Sequence, residues 1–367
     1  MRFFIVSILC FASVTLFGQS EDFDIIIQNQ STFVKDQEET GSCWAYAACS
    51  FFESELLRTN KGDHDLSEAF LVYYAYLRKG VNYHYRQSQT SFPPGALMHD
   101  AIQINRERGI VPNRFYQGLY LKNGANDYFE LRDSLKSCLD STLIEPDHPW
   151  YNKYEDILIG YLGELPASIL NKSKTITPVE YANSLGLDWN NYISFTSFTH
   201  HPFYAKCILE IPDNYSNGDF YNLPIDELVE IIDAALLDGY TFIWDGDISE
   251  PTFSTKKKGF AMLPKRNEHG VLNFDLDVSE ISISQEKRQV QFDRLQTTDD
   301  HLMHCVGLAK SKNGTKYYIM KNSWGEVGPY DGFTYMSETY LRMKTVSMML
   351  NKNGLPKEIE NKINGIL

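Results

Sequence analysis

The sequence is short of positive charge. Against 48 Asp and Glu it carries 34 Lys and Arg, a formal net charge of −14, so it lacks the basic face with which a protein releases counterions from nucleic acid or an anionic membrane. Long apolar runs are missing too. The one uncharged, mostly apolar leading stretch, Phe3 to Phe17, has 15 residues, against the roughly 20 that a membrane-spanning helix needs. Proline and glycine are sparse, 14 and 23 in 367 residues, and no repeat or low-complexity tract is visible, which excludes collagen-like and disordered classes. The six Cys include no CxxC pair, so neither a zinc nor a disulfide framework is indicated. What remains is an acidic, folded chain with 23 Tyr and 22 Phe, long enough for two domains or one large one.

Arg2 followed by Phe3–Phe17 has the length of a signal-peptide core, with Gly18 near a cleavage point. The expectation is a leader over 1–19, a mature start near Gln19 and export to the periplasm or outside the cell. The alternative is an uncleaved anchor or a buried N-terminal helix. Loss of the leader removes Cys10 and leaves Cys43, Cys49, Cys138, Cys207 and Cys305, an odd number, so at least one thiol stays free.

Spacing of apolar residues predicts helices over Cys43 to Arg58, from Asp65-Leu66-Ser67-Glu68 through Leu77, over Gly95 to Arg108, near Tyr128 to Leu139, over Pro178 to Leu185 and from Pro224 to Leu237. Tyr240 to Trp244, Cys305 to Ala309, Lys316 to Lys321 and Phe333 to Met336 read as strands, with Asn313-Gly314 as a hairpin turn. The stretch 124–212 carries no chemical motif and is expected as an insertion, and Thr252 to Thr298 is expected as loops with one or two short strands.

Chemistry gathers in three places. In Gln37-Glu38-Glu39-Thr40-Gly41-Ser42-Cys43 a thiol opens a helix just after a glycine. Free N–H groups and the positive helix end favour thiolate there, more so beside an imidazolium. Gln37 is placed to donate its amide to an oxyanion, together with the Cys43 N–H. Of the nine His, His304 is selected as the base because it begins an apolar strand, with His301 as its local competitor. Asn322, in Lys321-Asn322-Ser323-Trp324-Gly325, is expected to accept the His304 ring N–H, and Trp324 to cover that bond.

These residues resemble the papain-like cysteine peptidases, and most of all their bleomycin hydrolase and aminopeptidase C branch. Leu302-Met303-His304, Tyr221 to Asp226 leading into Ala234 to Gly239, and Tyr330 to Met336 extend the likeness from Val34 to the C-terminus. The resemblance implies an α+β papain-like fold, a helical lobe (35–123) and a strand-rich, barrel-like lobe (213–350) with the active-site cleft between them, followed by a tail (351–367). It implies peptide hydrolysis through a thioester on Cys43, with His304 as acid and base, Asn322 orienting it, Gln37 in the oxyanion hole, Gly41 and Trp324 in support, and Trp44 and Gly95 lining the cleft. No cofactor or metal is implied. The partners are peptide substrates and copies of the same chain, since the branch forms hexamers.

Two departures bear on substrate. The C-terminal arm, whose carboxylate in that branch holds the substrate's free amine, is short here, and Ser91-Phe92-Pro93-Pro94-Gly95 replaces the usual glycine pair of the cleft. Aminopeptidase action on short peptides is therefore the first expectation and endopeptidase action the second. A silent peptide-binding surface protein is the reading from another class. Cys49, Cys138, Cys207 and Cys305 are expected in the core, His200-His201 lacks a metal-ligand partner motif, and Lys256-Lys257-Lys258 reads as a solvated run.

Overall fold

The structure, a computed structural model, describes residues 21–118, 128–144 and 150–365. The expected leader and the terminal Ile366-Leu367 lie outside the described residues. Helix α1 (Cys43–Arg58) has the expected bounds, and Trp44, Ala47, Ala48, Phe51, Phe52 and Leu56 are all buried. So are Ser50, Glu53, Ser54 and Glu55, which makes α1 an interior helix rather than an amphipathic surface one. Around it stand α2 (Glu68–Tyr85), α3 (Met98–Arg108), α4 (Tyr128–Ile144), α5 (Trp150–Leu162) and α6 (Pro178–Leu185). Ser67 caps α2 by accepting the Phe70 N–H, and a Thr177–Glu180 capping box opens α6. The remaining helices are α7 (Ile225–Leu237), α8 (Gln285–Asp293), α9 (Glu338–Lys344) and α10 (Lys357–Ile363).

The strands are β1 (Phe23–Gln28), β2 (Ile169–Asn171), β3 (Lys174–Ile176), β4 (Tyr192–Thr196), β5 (Ala205–Ile208), β6 (Asp219–Asn222), β7 (Phe242–Gly246), β8 (Phe253–Ser254), β9 (Phe260–Ala261), β10 (His301–Ser311), β11 (Lys316–Lys321), β12 (Phe333–Ser337) and β13 (Thr345–Asn351). All but the β2–β3 hairpin join one sheet in the order β5-β6-β4-β13-β7-β10-β11-β12-β9-β8, with β1 added on β10. The stretch expected as an insertion therefore divides. Its first part gives α4 and α5, whereas β4 and β5 are strands of the main sheet, β4 pairing with β13 from Tyr192↔Asn351 to Thr196↔Ser347. Within the stretch expected as loops and short strands, Gln285–Asp293 instead forms α8, capped by Ser284.

Alternation along the central strands sets two faces. Ile243, Leu302, Val346 and Met349 pack with α1 in the core that fills the helical lobe. Phe242, Trp244, Met303, Cys305, Met348 and Leu350 point the other way and bury α7. The tail follows α7: Ile359 of α10 is buried in that second core, and Lys362 pairs with Glu227 at 3.2 Å. Helix α10 is thus packed on the face of the sheet away from α1, whereas Asn351 at the start of the tail donates to Glu55 of α1 at 2.5 Å.

Candidate active site

Segment 35–37 is laced to the turn after β11. Gly325 N–H donates to Lys35 O at 3.0 Å and Gln37 N–H to Ser323 O at 2.8 Å. The Ser323 hydroxyl donates to Gln37 Oε1 at 2.6 Å, which leaves the Gln37 Nε2 hydrogens free for another acceptor. Lys35 anchors the segment from below, 2.7 Å from Glu68 and 2.5 Å from Asp65. Gly41 then turns the chain at φ +61°, where an added Cβ would stand 2.9 Å from Pro94 Cγ. The Thr40 hydroxyl donates to Gln37 O at 2.7 Å and accepts the Ser42 hydroxyl at 2.5 Å, so α1 begins at Cys43 with no side-chain cap. The first N–H groups of the helix are left to whatever binds there.

The histidine that meets Asn322 is His301. Its Nε2 lies 2.8 Å from Asn322 Oδ1. Asn322 has no freedom to flip, because its Nδ2 donates to Thr255 Oγ1 at 3.1 Å and its Oδ1 also accepts the Ser323 N–H at 2.8 Å. His301 Nε2 must therefore carry the proton, and Nδ1 is the lone-pair nitrogen. Trp324 lies over the same ring at 5.1 Å between centroids, so the covering role expected of it is directed at His301. The next residue, Leu302, offers its backbone N–H to the Cys43 thiol, which places Sγ beside this histidine.

His304, the base expected from the sequence, is not at this place. It is 1% exposed, its Nδ1 is 2.8 Å from Ser50 Oγ in the middle of α1, and Ser50 in turn accepts Lys321 Nζ at 2.8 Å. The reason is register. From Lys310↔Lys316 to Gly307↔Ile319 the β10–β11 ladder is regular, and continued unbroken it would set His304 opposite Asn322. The irregularity between Cys305 and Gly307 shifts the pairing by one, so His304 faces Lys321, and both side chains turn toward α1. Burial and Lys321 hold the His304 pKa well below the usual value.

Trp44 and Gly95 also differ from expectation. Trp44 is 1% exposed and belongs to the core of the helical lobe rather than to a cleft wall. Gly95 is buried beneath Asp213, whose carboxylate occupies the space that a Cβ at Gly95 would take. Its carbonyl is held by Lys79 Nζ, which also holds Pro93 O at 2.8 Å.

The helix end does not leave Cys43 as a free thiolate. Burial pushes the thiol up to about 12, the Leu302 N–H works against that, and Asp213, Asp299 and Asp245 add to it. Burial likewise brings His301 down to about 4 against the Asn322 bond. Burial disfavours the charged form of each group taken alone. A proton passing from Sγ to Nδ1 creates no net charge, and the carboxylates that oppose the thiolate favour the imidazolium.

Two family models fit the chain in sequence. Residues 168–365 match the Peptidase C1-like family and residues 19–118 the papain family cysteine proteases. The chain belongs to the Peptidase C1-like family. Among curated relatives, aminopeptidase G of Lactobacillus delbrueckii subsp. lactis is 20% identical, over 89% of this chain and 82% of its own length. Aminopeptidase W of the same organism is 21% identical, over the same shares. The crystal structure of PepW from Lactobacillus rhamnosis superposes with a TM-score of 0.73 at 16% identity, covering 93% of this chain and 85% of that one. The α+β fold of this C1-like peptidase is therefore papain-like, with the site at the junction of its lobes.

The five cysteines among the described residues are free and buried. The His pair that looked partnerless acquires Glu210, with His201 Nε2 2.9 Å and His200 Nε2 3.8 Å from Glu210 Oε2. Gln289, oriented by the Thr199 N–H on its Oε1 at 2.6 Å, donates Nε2 to His200 Nδ1 at 3.0 Å. That fixes the neutral His200 hydrogen on Nε2, so in this arrangement the nitrogen facing Glu210 is a donor and not a metal ligand.

Proposed function

We propose that the protein is a cysteine aminopeptidase that hydrolyses short peptides through a thioester, with Cys43 as nucleophile, His301 as acid and base, Asn322 as its orienting partner and Gln37 in the oxyanion hole. The observation that carries this is the His301–Asn322 bond, which leaves Nδ1 of a rigidly held imidazole as the acceptor beside the thiol. Sγ attacks the scissile carbonyl as its proton moves to Nδ1. The oxyanion meets the Cys43 N–H and a Gln37 Nε2 hydrogen. Nδ1–H then protonates the leaving amine, and the thioester forms. Water adds with its proton drawn to Nδ1, and collapse expels the acid and restores the thiol. The relatives named as aminopeptidases support the exopeptidase part. Arg2 and the run after it support export, which cell fractionation tests, and light scattering tests for the homo-oligomer that the resemblance implies.

The test is hydrolysis of a peptide panel by reduced protein, each peptide with a free and an acetylated N-terminus, with Cys43→Ala as control and an irreversible thiol reagent as label. Cleavage of free-amine peptides and labelling lost in Cys43→Ala are expected. Equal cleavage of acetylated peptides gives an endopeptidase, and no labelling of the reduced protein gives a binding protein.

A further inference from the structure

Three carboxyl groups stand around the nucleophile without belonging to the catalytic set. Asp213 lies between β5 and β6, Asp245 on β7, and Asp299 two residues before His301. All three act on the Cys43 thiol, Asp213 most. They form one group: the Asp213 N–H donates to Asp299 Oδ2 at 3.2 Å, and the Asp299 and Asp245 side chains act on each other, which raises Asp299 and lowers Asp245. Asp245 has the parity of Ile243, the face of β7 that looks toward α1. Ser347 bridges it to the helical lobe, donating to Asp245 Oδ2 at 2.7 Å and lying 4.0 Å from Met98 Sδ, three residues after Gly95.

Among the described residues, the cation that acts on Asp213 is Lys79. Asp245 is 0% exposed, yet its Oδ1, like Asp299 Oδ1, finds no donor among the described residues. Among the described residues nothing donates to the Asp213 carboxylate, and its pKa is driven up by burial and by Asp299, with Lys79 and Asp100 as the other charges acting on it. Lys79 is turned to the Pro93 and Gly95 carbonyls, and Asp100 to the Leu97 N–H at 3.0 Å. Burial raises all three carboxyl groups, so an added cation beside them would be stabilised by their ionised form.

Position gives the cation its identity. Asp213 covers Gly95, and Pro94 before it lies against Gly41, two residues from Cys43, so the acids stand beside the start of α1. A carboxyl group beside the nucleophile suits the ammonium of a peptide's first residue.

We propose that Asp213, backed by Asp299 and Asp245, receives the α-ammonium of the substrate's first residue and sets the N-terminal limit of cleavage from within the fold. This rests on the aminopeptidase reading.

The experiment measures kcat and KM of the reduced full chain on a leucyl dipeptide amide, its acetylated form, and an acetylated peptide with Arg preceding the Leu. Asp213→Asn and Asp299→Asn are compared with a chain ending at Asn364. Asp213→Asn is expected to raise KM for the free-amine peptide about 30-fold, the scale of one lost charge-assisted contact, with thiol labelling retained and the preference over the acetylated form reduced. Should Asp213→Asn not fold, Asp299→Asn carries the same expectation. The shortened chain keeps the wild-type preference. Three results overturn the proposal: unchanged KM and preference in the folded Asp variant, loss of preference on shortening the chain, or faster cleavage of the acetylated Arg peptide than of the free-amine one, which would give the acids to a basic side chain. Failure of labelling and of all cleavage in the wild type would instead remove the aminopeptidase reading itself.

Discussion

At the scale of single residues, the site turns on two histidines three positions apart, which a strand must send to opposite faces. The residue types were legible: Gln37, Cys43 and Asn322 were read from their motifs, and His301 was weighed beside His304. What pointed away from the ring that meets Asn322 was the assumption that the strand begins at His304. It begins at His301, and an irregularity that no residue pattern announces moves the register by one. Function separates the two. His301→Ala is expected to lower kcat about 10^3-fold, the worth of general acid and base together, with thermal stability little changed. His304→Ala removes the partner of Ser50 inside the molecule and is expected to cost about 1–3 kcal/mol in a denaturant titration, while activity stays within about tenfold. Single-turnover acylation of both variants decides the assignment, and an inactive His304→Ala beside an active His301→Ala would reverse it. Gln37→Ala removes a donor aimed by Ser323, and about 10^2-fold in kcat is expected to go with it, without loss of thiol labelling.

The elements were read with uneven success, and the reasons are physical. α1, α6 and β11 have the expected bounds because each is closed by a local signal: glycine before α1, a capping box for α6, and the Asn313-Gly314 turn before β11. The strand β4 was missed because its pairing partner β13 lies about 150 residues on, and a short strand whose partner is distant leaves no periodic trace. α5 was missed for a different reason: it stands apart from any motif and buries only Tyr154, Leu158 and Leu162. The turn into α1 offers a test at this scale. Gly41 combines a left-handed φ with Pro94 pressed against the absent Cβ, so Gly41→Ala should destabilise the fold by about 1–3 kcal/mol. Because Cys43 is two residues on, kcat should fall as well, while the KM for free-amine peptides changes less. A Gly41→Ala protein as stable as wild type by calorimetry would mean that the turn can relax, and that the helix start is not pinned there.

Across the whole molecule, acid is buried where the lobes meet. Asp213, Asp245 and, beneath Lys35, Glu68 each have pKa values raised to about 7, with burial the largest cause. A raised carboxyl contributes stability that is present below its unfolded pKa and lost as pH climbs through the folded value, here between about 4 and 7. The neutral, buried His301 and His304 act in the opposite sense over nearly the same window, since their folded pKa values are lowered. The two effects oppose each other in the wild-type curve, so a single substitution is the sharper measurement. Asp245→Asn preserves an acceptor for Ser347 and supplies Asp299 with a donor that does not titrate. At pH 4, where Asp245 is protonated in the fold, the variant and the wild type should be about equally stable. By pH 8 the variant should be the more stable by on the order of 2 kcal/mol, read as the difference between two denaturant titrations at each pH. A difference that does not grow across this interval would show that Asp245 is already ionised at pH 4.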